Sequence, residues 1–401
     1  MSTYFINPLG SETAPFDTIE KGANNYSNLF NALGGEFYDD VIEVVEGTIV
    51  DTTNNYMNNG GITLRSFSAN TNNPTFSLTS GTDSTFLNGS EYDITLQGLS
   101  FVVNSEALLV GDGIMSVEEC SFSAAFNPNK VTYALSGTSQ NNSYTKNKFE
   151  GFHYGIYSPL TVSLIVNNNL FKDTKYPIKA SGVNAAGPYH LENNIEICNN
   201  SIYSFQPNGV GIEIENGNAT FDYEFLFVLN NIIHGNSVSG TTGILFSGIE
   251  NYYHLAHLDY NNIYLCTSAY SGFTSAGPHS ITIDPKFVDP TNFDLSFAKN
   301  SGVKKTGVGP SSVSIVPITS FNGVIRYGIK TDIGAYATTY SNGGINLSAT
   351  SNGEIIQMIG CSVNGNTINT LEIDSSGNLK LVNKYFSKDQ TTQIASDVTV
   401  N

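Results

Sequence analysis

Apolar runs of four or five residues, rich in Ile, Val, Leu, Phe and Tyr and bounded by Gly, Asn, Ser and Thr, fill the centre of the chain. Ser163–Val166, Ile195–Cys198, Phe225–Leu229, Gly211–Glu215 and Gly243–Ser247 are examples. Their length and composition predict strands, and no helix-period segment interrupts them. A phrase recurs among them: Asn168-Asn169-Leu170-Phe171, Asn199-Asn200-Ser201-Ile202, Asn230-Asn231-Ile232-Ile233 and Asn261-Asn262-Ile263-Tyr264. Read in this frame, the second asparagines Asn169, Asn200, Asn231 and Asn262 are 31 residues apart. Weaker copies stand at Gly98-Leu99, Glu119-Cys120 and Lys146-Asn147. A period of this size predicts a solenoid, each repeat one supersecondary unit stacked on the last. Strands stacked at about 4.8 Å make it a parallel β-helix. An asparagine in each coil fits, since Asn tolerates the left-handed backbone region and its amide can bond the amide one coil along. An antiparallel sandwich would explain the turns but not the constant interval.

Along the chain, residues 1–35 predict an N-terminal cap, with a strand at Tyr4–Ile6 and a helix over Asp17–Leu33 that covers the open edge of the first coil. Residues 36–340 predict about ten coils and a closing coil, with insertions such as Asn70–Gly89 and Asn184–Glu192. Residues 341–401 predict a small C-terminal β module of hairpins, turning at Asn352-Gly353, Asn364-Gly365 and Gly377-Asn378.

Two groups of motifs carry a family resemblance. Tyr4–Ser11, Pro15–Ile19, Val41–Val44 and Gly47–Ile49 open the chain, and Asp284–Asp289, Phe293–Leu295, Ser301–Val303 and Asp332–Tyr336 close the repeats. Together they resemble the pectate-lyase-like superfamily over about residues 3–336. The resemblance implies an all-β, right-handed parallel β-helix with its active or binding surface on an outer wall. It leaves activity open, because that scaffold carries lyases, hydrolases, epimerases and inert spikes.

Composition narrows the partners. Charged residues are only 13% and the net charge is −18, with two arginines, Arg65 and Arg326. Phosphate binding needs clustered Lys and Arg, so neither nucleic acid nor an anionic membrane is an expected partner. No apolar run is long enough to cross a bilayer. No signal peptide is read at Met1–Pro8, which gives an expectation of synthesis in a host cytoplasm. Cys120, Cys198, Cys266 and Cys361 match no zinc spacing, and Cys120 and Cys198 read as small buried thiols.

Candidate chemistry comes from a second phrase, Gly155-Ile156-Tyr157, Pro177-Ile178-Lys179, Gly211-Ile212-Glu213 and Gly243-Ile244-Leu245. It aligns Tyr157, Lys179, Glu213 and Leu245 in one column and Pro159, Ser181, Glu215 and Ser247 in the next. Glu213 and Glu215 then share a face at roughly 7 Å, in the range of an inverting glycosidase pair, with Lys179 one coil below. A solvated surface pair, with a Lys179–Glu213 ion pair of little energetic weight, is the plainer alternative. His254, His257 and Asp259 form the one His-rich spot, and Asp222 and Glu224 flank Tyr223, but neither has a metal-binding pattern. No cofactor or metal is expected. Tyrosines gather at Tyr154, Tyr157, Tyr176 and Tyr189 and at Tyr252, Tyr253, Tyr260, Tyr264 and Tyr270, as suits sugar contact or an interface.

Two functions stay open. The favoured one is a structural, host-surface-binding protein of a phage particle (spike, fibre or capsid decoration) that meets other virion proteins and a host glycan. The resemblance implies a homotrimer for such spikes. The alternative is a polysaccharide-degrading enzyme, hydrolase or lyase, using Glu213, Glu215 and Lys179. A cell-surface adhesin is a third reading, weakened by the export signal it would need.

Overall fold

The computed structural model describes residues 2–34, 37–51, 61–78, 86–87, 93–103, 114–128, 131–137, 141–159, 163–181, 194–215, 226–247, 257–272, 276–326 and 328–338. Beyond these it describes the backbone of five further strands. The chain divides into two compact units, Met1–Ala337 and Thr338–Asn401.

The first unit is a parallel β-helix with three walls. One full coil runs Ser163–Asn167 on wall one, Leu170–Lys172 on wall two and Tyr176–Ser181 on wall three. Wall one has ten strands from Thr3–Ile6 to His257–Asp259, all parallel. Wall two has nine, from Thr48–Asp51 to Asn262–Tyr264. Wall three has six, from Tyr133–Ser136 to Ser268–Ser271. Thr75–Leu78, inside the segment read as an insertion at Asn70–Gly89, is a wall-two strand. Residues 184–192 lie outside the described residues.

Parallel, in-register stacking places like residues over like, and two interior ladders result. Phe76, Phe101, Phe122, Phe149 and Phe171 are fully buried and stack at centroid distances of 5.4, 5.2, 5.1 and 4.8 Å. Phe86 and Tyr26 continue this aromatic core towards the N-terminus.

The second ladder separates the two asparagines of the repeat phrase. The first position takes a left-handed backbone in every copy: Gly98, Glu119, Lys146, Asn168, Asn199, Asn230 and Tyr260 all have φ between 55° and 64°. The second points inward. Asn147, Asn169, Asn200, Asn231 and Asn261 are fully buried, each Nδ2 from Asn147 to Asn231 donating to the next Oδ1 at 3.0–3.1 Å. Each Nδ2 also donates to a wall-one carbonyl at 2.8 Å, and each Oδ1 from Asn169 to Asn261 accepts the backbone N–H of the preceding asparagine. The ladder leaves the 31-residue frame at its last step. Ile232 pairs with Asn262, so Asn261 and not Asn262 stacks on Asn231.

At the N-terminus the helix is Tyr26–Ala32, shorter than the Asp17–Leu33 predicted. Asn25 caps it, its side chain accepting the N–H of Asn28. Upstream, Phe16 and Ala23 exchange backbone hydrogen bonds with Phe5, which holds residues 16–23 along the first strand instead of in a helix. The helix buries Tyr26 and Leu29 at this end of the core, and Ser27 is held by Asp51.

Among the described residues of 284–337, none forms a strand of the three walls. They form short antiparallel pairs, Phe287–Asp289 with Asp294–Phe297 and Gly307–Val308 with Lys330–Thr331. This strap is read by the outward asparagines: Asn168 Nδ2 donates to Thr319 O, Asn199 Nδ2 to Asp332 O and Gly334 O, and Asn230 Nδ2 to Val308 O. Arg326, 3% exposed, joins them by donating to Asn168 Oδ1 and to the carbonyls of Pro317, Gly334 and Ala335. Burial pushes its guanidinium down to about 9, against the opposing charge of Asp332.

The second unit holds a five-stranded antiparallel sheet in chain order: Leu347–Ala349, Ile355–Met358, Thr367–Ile373, Leu379–Phe386 and Gln393–Ser396. The predicted turn residues 352–353, 364–365 and 377–378 fall outside the described residues.

Candidate functional site

The exterior of wall three collects the candidate residues, and its register is the one the Gly-Ile phrase predicts. Tyr157 pairs with Lys179, Lys179 with Glu213 and Glu213 with Leu245; Pro159, Ser181, Glu215 and Ser247 form the next column. The glycine of the phrase answers to space. A Cβ on Gly211 would stand 2.7 Å from both the Gly243 carbonyl and the Ile233 side chain.

Lys179, Glu213 and Glu215 come together. Lys179 Nζ is 2.9 Å from Glu213 Oε1 and 3.3 Å from Glu215 Oε2. Burial pulls the lysine's proton affinity down, but the hydrogen bond and charge of Glu213, with those of Glu215, raise it to about 12. Glu213 is 8% exposed, and its Oε2 is buried without a partner among the described residues. One ammonium touching both carboxylates draws them towards each other. An inverting pair instead needs about 6.5–9.5 Å, with a water between.

Beside this cluster lies a tyrosine ladder. Tyr133, Tyr154 and Tyr176 stack at 4.7 and 5.0 Å with interplanar angles of 8° and 15°. Tyr157 leans on Tyr133 and Tyr154 at 5.4 and 5.3 Å, and Ser181 Oγ bonds its hydroxyl at 3.4 Å. Burial pushes the Tyr154 phenol up to about 12 and raises Tyr133, so both keep their protons as hydrogen-bond donors at neutral pH. Stacking takes up both faces of Tyr154 and one face each of Tyr133 and Tyr176, so Tyr154 offers a ligand its edge and hydroxyl. The ammonium groups of Lys175 and Lys179 sit 5.5 and 5.8 Å from the Tyr176 ring centroid.

A groove opens at the corner between walls two and three. One end, of about 480 Å³, is lined by Ser123, Phe126, Glu150, Gly151, Asp173 and Gln206 among others. The other, of about 400 Å³, is lined by Phe126, Pro128, His153, Lys175, Gln206 and Pro207. Both volumes suit a small-molecule subsite. Gly151, at φ +81°, makes the turn that shapes it, where any Cβ would strike the Ala124 carbonyl. None of these lining residues belongs to a sequence motif; they meet because turns from successive coils stack.

The other candidates contribute less. His254, Asp222, Tyr223, Glu224, Tyr189, Tyr252, Tyr253 and Cys361 lie outside the described residues. His257 is exposed on wall one with its ring stacked on Phe227 at 4.6 Å. Asp259 instead meets His279, Oδ2 to Nδ1 at 2.6 Å. Among the described residues no three His, Cys, Asp or Glu side chains converge as metal ligands. Cys120 and Cys198 are buried thiols and Cys266 is partly buried; burial pushes Cys120 and Cys266 up to about 12 and raises Cys198, which leaves them protonated and inert. Arg65 is exposed on wall one and pairs with Glu43 at 2.6 Å. No described helix is long and apolar enough to cross a membrane.

No family model matches the sequence, and no curated protein matches it.

Proposed function

We propose that the chain is a structural, host-surface-binding β-helix of a phage particle, a spike, fibre or capsid decoration, that recognises glycan on the exterior of wall three. The observation that carries this reading is the outward ladder of Tyr133, Tyr154 and Tyr176 beside the Lys179–Glu213–Glu215 cluster. Neutral phenols, a carboxylate and an ammonium at coil spacing are what sugar hydroxyls bind. The opening and closing motifs that resemble pectate-lyase-like proteins, and the sparsely charged chain with net charge −18, support a rigid extracellular scaffold. A homotrimer and contact with other virion proteins belong to the same proposal.

The enzyme reading rests on one observation, the convergence of Lys179, Glu213 and Glu215 on one face. It has Glu213 and Glu215 as acid and base, against which the shared ammonium counts.

Incubating the purified chain with a panel of bacterial and plant polysaccharides separates the two. Binding proteins retain the polymer at its original size, and Tyr154→Ala weakens retention at least about tenfold, by loss of a hydrogen bond and ring contact. Shortened products would replace this reading with the enzyme, and Glu213→Gln would then abolish cleavage. A rise in absorbance from unsaturated ends would mean elimination.

A further inference from the structure

We propose that the corner groove between walls two and three is a subsite for an anionic sugar residue, with Lys175 binding its carboxylate or phosphate and Phe126 and Pro207 receiving its apolar face. This rests on the glycan-binding reading of wall three and extends it to a place and a chemistry.

The groove has what the tyrosine ladder lacks. In the ladder, both faces of the central Tyr154 are taken up by neighbouring rings. At the corner, Phe126, Pro128 and Pro207 offer apolar surface to the open volume, and Phe126 is braced from one side by the His153 ring at 4.8 Å. Sugars bind through one apolar face and a rim of hydroxyls, so an aromatic wall with polar neighbours suits them.

Charge sets the ligand's sign. Among the described residues Lys175 pairs with no carboxylate, whereas Lys146, Lys172 and Lys179 are each held by two acidic side chains. An unneutralised ammonium lining a groove, in a chain of net charge −18, is a place for an anion. His153 does not compete for it. It is 5% exposed, its Nδ1 has no partner among the described residues, and burial followed by the charge of Lys175 holds its proton affinity below the ordinary value. A neutral His153 can accept or donate to a hydroxyl.

The opposite end of the groove carries Glu150 and Asp173, with Lys172 Nζ 2.7 Å from Glu150 and 3.9 Å from Asp173. Carboxylates there suit sugar hydroxyls and repel a second anion. A bound saccharide is therefore oriented, its charged residue at Lys175 and a neutral one towards Glu150. Lys175 also lies 5.5 Å from the Tyr176 ring centroid, which puts the charged end of the groove beside the ladder.

The test is binding of the full chain to uronic-acid oligosaccharides, to their carboxyl-reduced counterparts and to sugar-phosphate oligomers. The expected result is binding of an anionic set, with the neutral counterpart and Lys175→Ala each at least about tenfold weaker and Lys175→Arg within about threefold, the scale of one charge-assisted hydrogen bond. The uronate and phosphate arms tell which anion is preferred. Gln206→Ala, whose side chain makes only a 3.4 Å bond to the Asp173 carbonyl, gives a second variant with little effect on folding and is expected to weaken binding severalfold. Unchanged binding by Lys175→Ala and Gln206→Ala would overturn the subsite. If Tyr154→Ala weakened binding in that case, wall three would keep its glycan role and only the corner assignment would fall. If the unsubstituted chain bound no member of the panel, both would fall.

Discussion

Two stacks of aromatic rings run along this β-helix, and they differ only in what surrounds them. The phenylalanine stack from Phe76 to Phe171 and the tyrosine stack from Tyr133 to Tyr176 have nearly the same spacing, 4.8–5.4 Å against 4.7–5.0 Å. Parallel register makes both, since one coil repeats the position of the last. The first is dry and holds the molecule together. The second is half-buried, and its hydroxyls reach water. The two asparagines of the repeat phrase divide in the same way, one inward onto its own kind and one outward onto the strap. Register is thus indifferent to function; the side of the wall decides it.

Substitutions can break that comparison. Phe122→Ala opens a cavity between two stacked rings and is expected to cost about 3–5 kcal/mol in chemical unfolding, while Tyr154→Ala costs about 0.5–1.5 kcal/mol, the value of an aromatic pair. Equal losses would mean the outer stack is structural too. Asn200→Ala leaves the N–H and Nδ2 of Asn169, the Val166 carbonyl and the Asn231 side chain short of a partner, for a cost of about 1–3 kcal/mol per buried unsatisfied group. Asn199→Ala loses its bonds to Asp332 O and Gly334 O, a longer 3.4 Å bond accepted from Asn230 Nδ2, and a tolerant left-handed residue, and its effect should appear as faster hydrogen exchange of residues 332–334 rather than of the coils.

Acid acts on a smaller scale. Burial holds His234 below its ordinary value, so below pH about 6.5 the unfolded chain takes up a proton that the folded chain resists. Stability present above that pH is lost as pH falls towards the folded value. His234→Gln should flatten this limb of the pH–stability curve. Lys179 works in the other direction: its pair with Glu213 and Glu215 is intact below about pH 10.5 and is lost as pH rises through about 12, an effect that Lys179→Met should remove.

Much of the scaffold could be read from the chain because stacking repeats its own signal. Four copies of an Asn-Asn phrase, with three of a Gly-Ile phrase and one Pro-Ile variant, suffice to align Lys179 beside Glu213. The frame slipped at the last asparagine because Asn261 and Asn262 are identical residues, and only the ladder's hydrogen bonds tell them apart. The apolar spacing from Ile19 to Leu33 implies too long a helix because it does not reveal that Phe16 and Ala23 bond Phe5. The strap was illegible as such. Its partners lie 78 to 158 residues away, and local patterning carries no trace of contacts at that range. The same holds for the groove, where Phe126, His153, Lys175 and Gln206 come from separate turns.

Hydrogen–deuterium exchange on the full chain, with and without a saturating oligosaccharide drawn from the polysaccharide panel, tests the central claim most directly. Ligand binding on the exterior of wall three predicts protection at Tyr133–Ser136, Tyr154–Pro159, Tyr176–Ser181 and Val210–Glu215, with little change on wall one. Protection confined to wall one or to residues 338–401, or no oligosaccharide bound at any concentration, would contradict it.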